Sequence, residues 1–315
     1  MANPSRSLWH RAAARIFLAT AVIALGVAPL GFRPQSATAK PLPAARTQKH
    51  ARPPKSLRLY VFNCGKLVIA DISVYGFTKD QLATTDMSVA CFLVAHPKGT
   101  LLWDVGVLPD SVLTSSAATN VATGVTKGRA TVYKPLKAQL AEIGYTPVDI
   151  TYLALSHYHW DHTANANDYA GSTWLVEKAD RDVMFSEPPP KAPNITPENY
   201  SALRTSKTVY LNDADYDVFG DGSVIIKPAP GHTAGHQVLY LKLRKTGPIV
   251  LSGDLYHYPE ERTQHHVPTT DINRDQTAAS REAIEAFLKQ SGAQLWIQHD
   301  LMANAKLKKS PAYYE

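Results

Sequence analysis

The stretch Ser156-His157-Tyr158-His159-Trp160-Asp161-His162 constrains this chain more than any other. It places three imidazoles and one carboxylate within six residues, directly after an apolar run that ends at Leu155. His157 and His159 stand two apart, so on an extended backbone their rings point the same way, and a turn after Trp160 would aim Asp161 and His162 at a neighbouring point. A cluster of this kind can hold two cations rather than one. Imidazole nitrogen and carboxylate oxygen are zinc ligands at about 2.0 to 2.2 Å, and no thiolate is needed.

Two cations need more ligands, and these are expected at the ends of other strands. Gly231-His232-Thr233 follows the apolar run Val224 to Ala229, Gly253-Asp254 follows Ile249 to Leu251, and His299-Asp300 follows Leu295 to Gln298. Loops at the edge of a sheet can turn such residues toward a common cleft.

The surrounding pattern supplies the sheets. Strands are expected at Leu57 to Phe62, Ser88 to Ala95 and Thr100 to Trp103, the last two joined as a hairpin by Pro97-Lys98-Gly99. A helix is expected over Val132 to Ile143, stopping at Gly144 and carrying Pro135 in its first turn. Asp149 to Leu155 and Thr173 to Glu177 read as strands, Lys178 to Phe185 as a helix, and the proline-dense stretch from Pro188 to Pro197 as a loop or lid. Strands at Val224 to Ala229, Gln237 to Leu243, Ile249 to Leu251 and Leu295 to Gln298, with a helix near Gln276 to Gln290, complete the second half. Strands clustered in each half with intervening helices predict two sheets packed together and covered by helices.

The first 39 residues differ in kind. Arg6, Arg11 and Arg15 precede an apolar run from Ile16 to Leu30, and small residues end at Ala37-Thr38-Ala39. This is the pattern of a secretory signal peptide, with the mature chain starting at Lys40. The competing reading, an uncleaved anchor, needs about 20 apolar residues, and this run is shorter and broken by Gly26 and Pro29. Export to the periplasm or medium, with no stable membrane association after cleavage, is the expectation. Removing residues 1–39 takes away Arg6, Arg11, Arg15 and Arg33, leaving 29 basic against 27 acidic residues. Residues 40–56 form a basic, proline-rich linker, and residues 57–315 carry the single folded domain. With the excess positive charge confined to a signal and a tail, a nucleic-acid partner is not supported. Cys64 and Cys91, 27 positions apart, can form one disulfide in an exported protein or stay as buried thiols.

In order along the chain, HxHxDH, GHTxGH, GD and a late histidine resemble the metallo-β-lactamase superfamily. The segments LRLYVFNCG, PKGTLLWDVG, IQHD and KLKKSPAYYE are similar to exported N-acyl-homoserine lactonases in particular. The resemblance implies an α/β fold, the αβ/βα sandwich of two mixed sheets flanked by helices. It implies that His157, His159 and His232 hold one zinc ion, that Asp161, His162 and His299 hold the other, and that Asp254 bridges them. Lactonases of this kind carry a tyrosine soon after the bridging aspartate, a role that falls here to Tyr256, with His257 adjacent as the other candidate. Asn63 stands where an aspartate is expected in the opening segment.

The reaction the resemblance implies is the opening of a small-molecule lactone ring by a hydroxide bridging the two cations, each of which lowers the pKa of bound water. Asp161 or Asp254 would shuttle the proton to the leaving alkoxide, and Tyr256 would steady the oxyanion. Tyr158, Trp160 and the proline-rich stretch would accept the acyl chain, or Tyr158 and Trp160, which alternate with the ligands, would be core residues supporting the metal shell. The alternatives are another hydrolase on the same fold (phosphodiesterase, thioesterase or β-lactamase) and, from a different class, a non-catalytic metal-binding protein. Asp254 argues against a β-lactamase, whose counterpart position is usually not aspartate. The sequence leaves a homodimer open.

Overall fold

The computed structural model describes residues 51–113, 128–315 and, for backbone alone, 119–122. The chain divides into the units Met1–Thr47 and Gln48–Glu315. The first unit lies outside the described residues, as do the expected signal peptide and the linker up to residue 50. No helix among the described residues is long and apolar enough to cross a membrane.

In chain order the elements are β1 (Arg58–Val68), β2 (Met87–His96), β3 (Gly99–Trp103), β4 (Thr119–Ala122), β5 (Arg129–Val132), α1 (Leu136–Glu142), β6 (Tyr152–Ala154), α2 (Trp160–Thr163), β7 (Thr173–Val176) and α3 (Lys178–Met184). The second half holds β8 (Thr208–Tyr210), β9 (Tyr216–Asp217), β10 (Val224–Pro228), β11 (Gln237–Leu243), β12 (Gly247–Leu251), α4 (Pro259–Gln264), α5 (Arg274–Ser291), β13 (Gln294–Trp296), α6 (Leu301–Lys306) and β14 (Tyr313–Tyr314).

Two mixed sheets result. One runs β4-β5-β1-β2-β3-β6-β7-β8, with β14 also paired to β1, and the other runs β13-β12-β11-β10-β9. Period-2 alternation sorts the side chains of the long strands. In β1, Leu59 and Val61 enter the core between the sheets, while Tyr60 and Phe62 enter a second core on the sheet's outer face. In β2, Ala90, Phe92 and Val94 face inward, and Cys91, Leu93 and Ala95 face the outer core with Leu136 and Leu140 of α1. On the far side, Val238, Tyr240 and Val250 pack against Ile284 and Leu288 of α5. The helix α5 is capped by the Asn273 side chain, which accepts from the Gln276 N–H at 3.0 Å, and it stops at left-handed Gly292. The layers are therefore helix, sheet, sheet, helix, as the sequence predicts.

The first strand, expected to end at Phe62, runs on to Val68, and two other expected elements begin late. The helix expected from Val132 begins only at Leu136, because Pro135 disfavours helical backbone in the residue before it, and Val132 pairs in β5 with Thr119 instead. The strand expected from Asp149 begins at Tyr152, since Pro147–Asp149 forms a single helical turn. The strands β8, β9 and β14, of two or three residues, escape sequence reading because they are too short to show a period and no apolar run marks them.

The open question over the cysteines is answered by a Cys64–Cys91 disulfide that staples β1 to β2. Closing a loop of sequence separation 27 stabilises the fold by about 3 to 4 kcal/mol in the chain-entropy model. Reduction is therefore expected to lower the urea midpoint clearly. An unchanged midpoint with and without reductant would show that the thiols are not joined.

Candidate metal centre

The seven residues singled out as ligands come from four segments that leave their strands at one end of the sandwich. His157 and His159 lie between β6 and α2, with Asp161 and His162 on α2, while His232 follows β10, Asp254 follows β12 and His299 follows β13. All seven are buried. They fall into two groups able to hold a metal ion, His157, His159, His232 and Asp254 in one and Asp161, His162 and His299 in the other, with the ligand atoms of each group within 4.8 Å of one another.

Asp254 joins the groups. Its Oδ2 lies 3.5 Å from His157 Nε2 and 3.4 Å from His232 Nε2, whereas its Oδ1 lies 3.0 Å from both His162 Nε2 and His299 Nε2. One carboxylate thus gives one oxygen to each group. His157 Nε2, His162 Nε2 and Asp254 Oδ1 have no hydrogen-bond partner among the described residues. Buried polar atoms without partners are costly, and when several converge on one space the donor set of a cation accounts for them.

Each ligand-type imidazole is anchored through its other nitrogen. His162 Nδ1 donates to Asp104 Oδ2 at 2.9 Å, His232 Nδ1 to Asp271 Oδ1 at 2.8 Å, and His299 Nδ1 to the Ser88 carbonyl at 2.7 Å. Ser156 Oγ stands 3.1 Å from His157 Nδ1. His159 is turned the other way round, with Nδ1 3.0 Å from His232 Nε2 and Nε2 2.6 Å from the Asn194 amide. Such outer contacts set ring orientation and tautomer around metals.

The motif glycines owe their identity to crowding at these turns. Gly253 has φ +49°, and a Cβ there would lie 2.7 Å from both His236 Nε2 and Ser156 Cβ. A Cβ at Gly231, φ +136°, would lie 2.2 Å from the Thr277 nitrogen. Any side chain would push the Asp254 or His232 turn off its support.

The electrostatics suit ligation. Burial and then neighbouring imidazoles hold His157 and His159 well below the ordinary histidine value. Burial opposes the charge of Asp254, yet His162, His299, His157 and His257 around it hold its carboxyl well below the usual range. Burial opposes charge on His162 and His232 too, yet Asp254 and Asp104 raise the first well above the ordinary histidine value and Asp254 and Asp271 raise the second, so cation binding would displace protons from these two rings. His236 does not join the cluster. Burial lowers it to about 3, its Nδ1 donates to the Ala229 carbonyl, and its Nε2 accepts the Asp254 N–H at 2.9 Å, which fixes the backbone of that turn.

Tyr256 is not brought to the cluster. Its hydroxyl donates to Glu285 at 3.2 Å, its ring lies under the Arg281 guanidinium, and it lines a different cavity. His257 takes the place beside the ligands, its Nε2 3.2 Å from Asp254 Oδ2 and its Nδ1 3.2 Å from Glu261 Oε1. Burial works against its charge, but Glu261 and Asp254 raise it to about 10. The reason is local: Tyr256 is extended, so consecutive side chains point to opposite sides. Tyr158 is buried in the outer core, and Asn63 bonds with Gln139 and Gly65.

Sequence reasoning missed Asp104, Asp271, Gln298 and Asn194. Asp104 had the same signal as the ligands, a carboxylate just past an apolar strand. Its Oδ1 accepts the Ser156 N–H at 2.6 Å, and its Oδ2 also accepts from Gln298 Nε2 at 2.8 Å. Asp271 and Asn194 sit in irregular loops without any such signal.

The ligand-type residues open onto a cavity of about 290 Å³, whose wall includes His159, Trp160, Asp161, Asp254, His257 and His299. Leu67, Ile69, Val74 and Met87 form its apolar side.

Residues 84–291 match the family model of the metallo-beta-lactamase superfamily, well over half of the chain, and the chain belongs to that superfamily. Among its relatives, the N-acyl homoserine lactonase AttM of Azorhizobium caulinodans is 28% identical over 283 residues, covering 82% of this chain and 99% of that protein. An N-acyl homoserine lactonase of a Bacillus species is 25% identical over 260 residues, covering 81% and 98%. The structure of a Bacillus thuringiensis AiiA variant with N-decanoyl-L-homoserine bound at its active site has the same fold, with TM-score 0.67 at 21% identity over 81% of this chain and 98% of that one. So does AidC, a dizinc quorum-quenching lactonase in complex with a product, at TM-score 0.59 and 18% identity over 82% and 94%.

Replacing Asp104 with alanine would strand the buried Ser156 N–H, leave His162 Nδ1 with only Ser156 Oγ at 3.1 Å, and remove one acceptor from Gln298. A loss of about 3 kcal/mol or more is expected in urea denaturation. A change below about 1 kcal/mol, the size of an ordinary exposed contact, would remove Asp104 from this supporting role.

Proposed function

We propose that this chain is an exported, dinuclear metal-dependent hydrolase that opens the lactone ring of N-acyl-homoserine lactones. The observation that carries the reading is the Asp254 carboxylate, one oxygen toward each ligand group, on the wall of a cavity with an apolar side. The names of the relatives, spanning nearly their full lengths, support the substrate class.

His157, His159, His232 and Asp254 would hold one cation, and Asp161, His162, His299 and Asp254 the other. The nitrogen and oxygen donors suit zinc. A bound pair supplies a nucleophilic water at neutral pH and polarises the carbonyl. The residues of the chain do the rest. Asp161, on the cavity wall, carries the proton toward the leaving ring oxygen. His257, braced from behind by Glu261, which in turn accepts from Arg281 at 2.6 Å, presents Nε2 to the carbonyl oxygen in the part sequence reading gave to Tyr256. Leu67, Ile69, Val74 and Met87 receive the acyl chain and keep water from it.

The zinc-loaded protein should open short-chain and long-chain N-acyl-homoserine lactones, read as acid release, and His159→Ala should abolish the activity. His257→Phe should lower kcat about 100-fold, the usual effect of losing one oxyanion donor, while Tyr256→Phe leaves it nearly unchanged. Intact lactones with turnover of a phosphodiester or a penicillin in the same assay would sink the substrate assignment. The reverse ranking of the two aromatic variants would return the role to Tyr256.

Export rests on the charge and apolar pattern of residues 1–39, and the Cys64–Cys91 disulfide supports an oxidising compartment. N-terminal sequencing of protein from the periplasm or medium is expected to begin at Lys40. Cytosolic protein that keeps Met1 would overturn export.

A further inference from the structure

Four of the five ligand-type histidines are anchored by buried residues, through Ser156, Asp104, Asp271 and the Ser88 carbonyl. The fifth is not. The outer nitrogen of His159 meets Asn194, in the proline-rich loop between α3 and the helical turn at Pro197–Asn199. The same residue grips the segment twice, because the Asn194 carbonyl also accepts the Trp160 N–H at 3.0 Å. Beyond this residue and Ile195, which packs against the outer core, the loop is lightly held. Pro188, Pro189 and Pro193 are exposed, and Glu187 reaches only Arg204, at 3.4 Å.

We infer that Asn194 is a positioning residue that holds His159 for ligation and thereby ties the conformation of loop 186–196 to occupancy of the metal centre. The inference rests on the reading that the cluster holds cations. His159 faces the cluster with Nδ1, so a cation there takes the Nδ1 lone pair and the ring hydrogen must sit on Nε2. The partner of Nε2 must then accept. The Asn194 amide has an acceptor, Oδ1, which a half-turn of the amide brings to the position that Nδ2 holds, 2.6 Å from the ring. That bond keeps the loop against the His159 and His232 side of the cavity, where Pro193 and Asn194 form part of the wall. Coupling of this kind is reciprocal: whatever the loop contributes to cation affinity, the cation returns as order in the loop.

The test uses the full-length domain with zinc and compares wild type with Asn194→Ala, Asn194→Asp and Asn194→Leu. Zinc affinity is measured by chelator competition, and amide exchange in residues 186–196 is measured with and without the metal. Wild type should bind two zinc ions, and binding should slow exchange in the loop. Asn194→Ala and Asn194→Leu should weaken one of the two ions about 10- to 100-fold, the range found for lost outer contacts to ligating histidines, and the zinc-dependent slowing should vanish. Asn194→Asp, which keeps an acceptor, should restore both effects. A space-filling role would instead be rescued by leucine and not by aspartate, and that pattern overturns the proposal. So do two tightly held ions and unchanged loop protection in Asn194→Ala, which leave the metal reading intact. A wild type that binds no zinc removes both.

Discussion

A single buried carboxylate, Asp254, sets the terms for the rest of this structure. Four imidazoles, those of His157, His162, His232 and His299, stand within 3.5 Å of its two oxygens, and a fifth, from His257, lies at 3.2 Å. Packing so many ionisable groups away from water is unfavourable unless each keeps a partner on both sides. The fold supplies the outer partners by bringing several chain segments to one end of two sheets, while His157 Nε2, His162 Nε2 and Asp254 Oδ1 on the inner side have no hydrogen-bond partner among the described residues. The Asp254 turn itself is pinned from three directions, with left-handed Gly253 admitting the close approach, the Gln298 side chain accepting the Gly253 N–H, and His236 accepting the Asp254 N–H.

The two sheets meet at the same place. Gln298, just past β13 of the smaller sheet, accepts from Trp103 Nε1 and donates to Asp104 Oδ2, both at the end of β3 in the larger sheet. Asp104 in turn holds the Ser156 N–H and His162. This buried chain of bonds links the first ligand segment to the last, so the halves of the centre cannot drift apart without breaking bonds that have no water to replace them. The rigid side of the site is built this way. Its other side, formed by Asn194 and the proline-rich loop, is joined to the centre through His159.

Much of this was legible in the amino-acid order. The strands β1 and β2 and the long helix α5 were read from their apolar runs, while the sorting of the strand side chains into two cores emerged only from the packed sheets. The ligand set was legible for a chemical reason: histidines and aspartates immediately after apolar strands have few uses other than a shared cleft. Short strands such as β9 were not legible, because two residues carry no period and are held only by their neighbours. Asp104 carried a readable signal that was overlooked, since it has the same strand-end position as the ligands.

By itself the sequence determined which donor atoms the centre could contain and which strands would deliver them, because residue type and period-2 alternation are local properties. Tertiary structure decided which residues face the cavity. His257 rather than Tyr256 does so because the backbone after Gly253 leaves the regular period and Tyr256 is extended, sending neighbours to opposite sides. Asp271 and Asn194 reach His232 and His159 across 39 and 35 residues of sequence, through loops whose course depends on the packing of the whole sandwich. The pairing of Cys64 with Cys91 was likewise a choice between two readings until the register of β1 on β2 placed their α-carbons 5.8 Å apart.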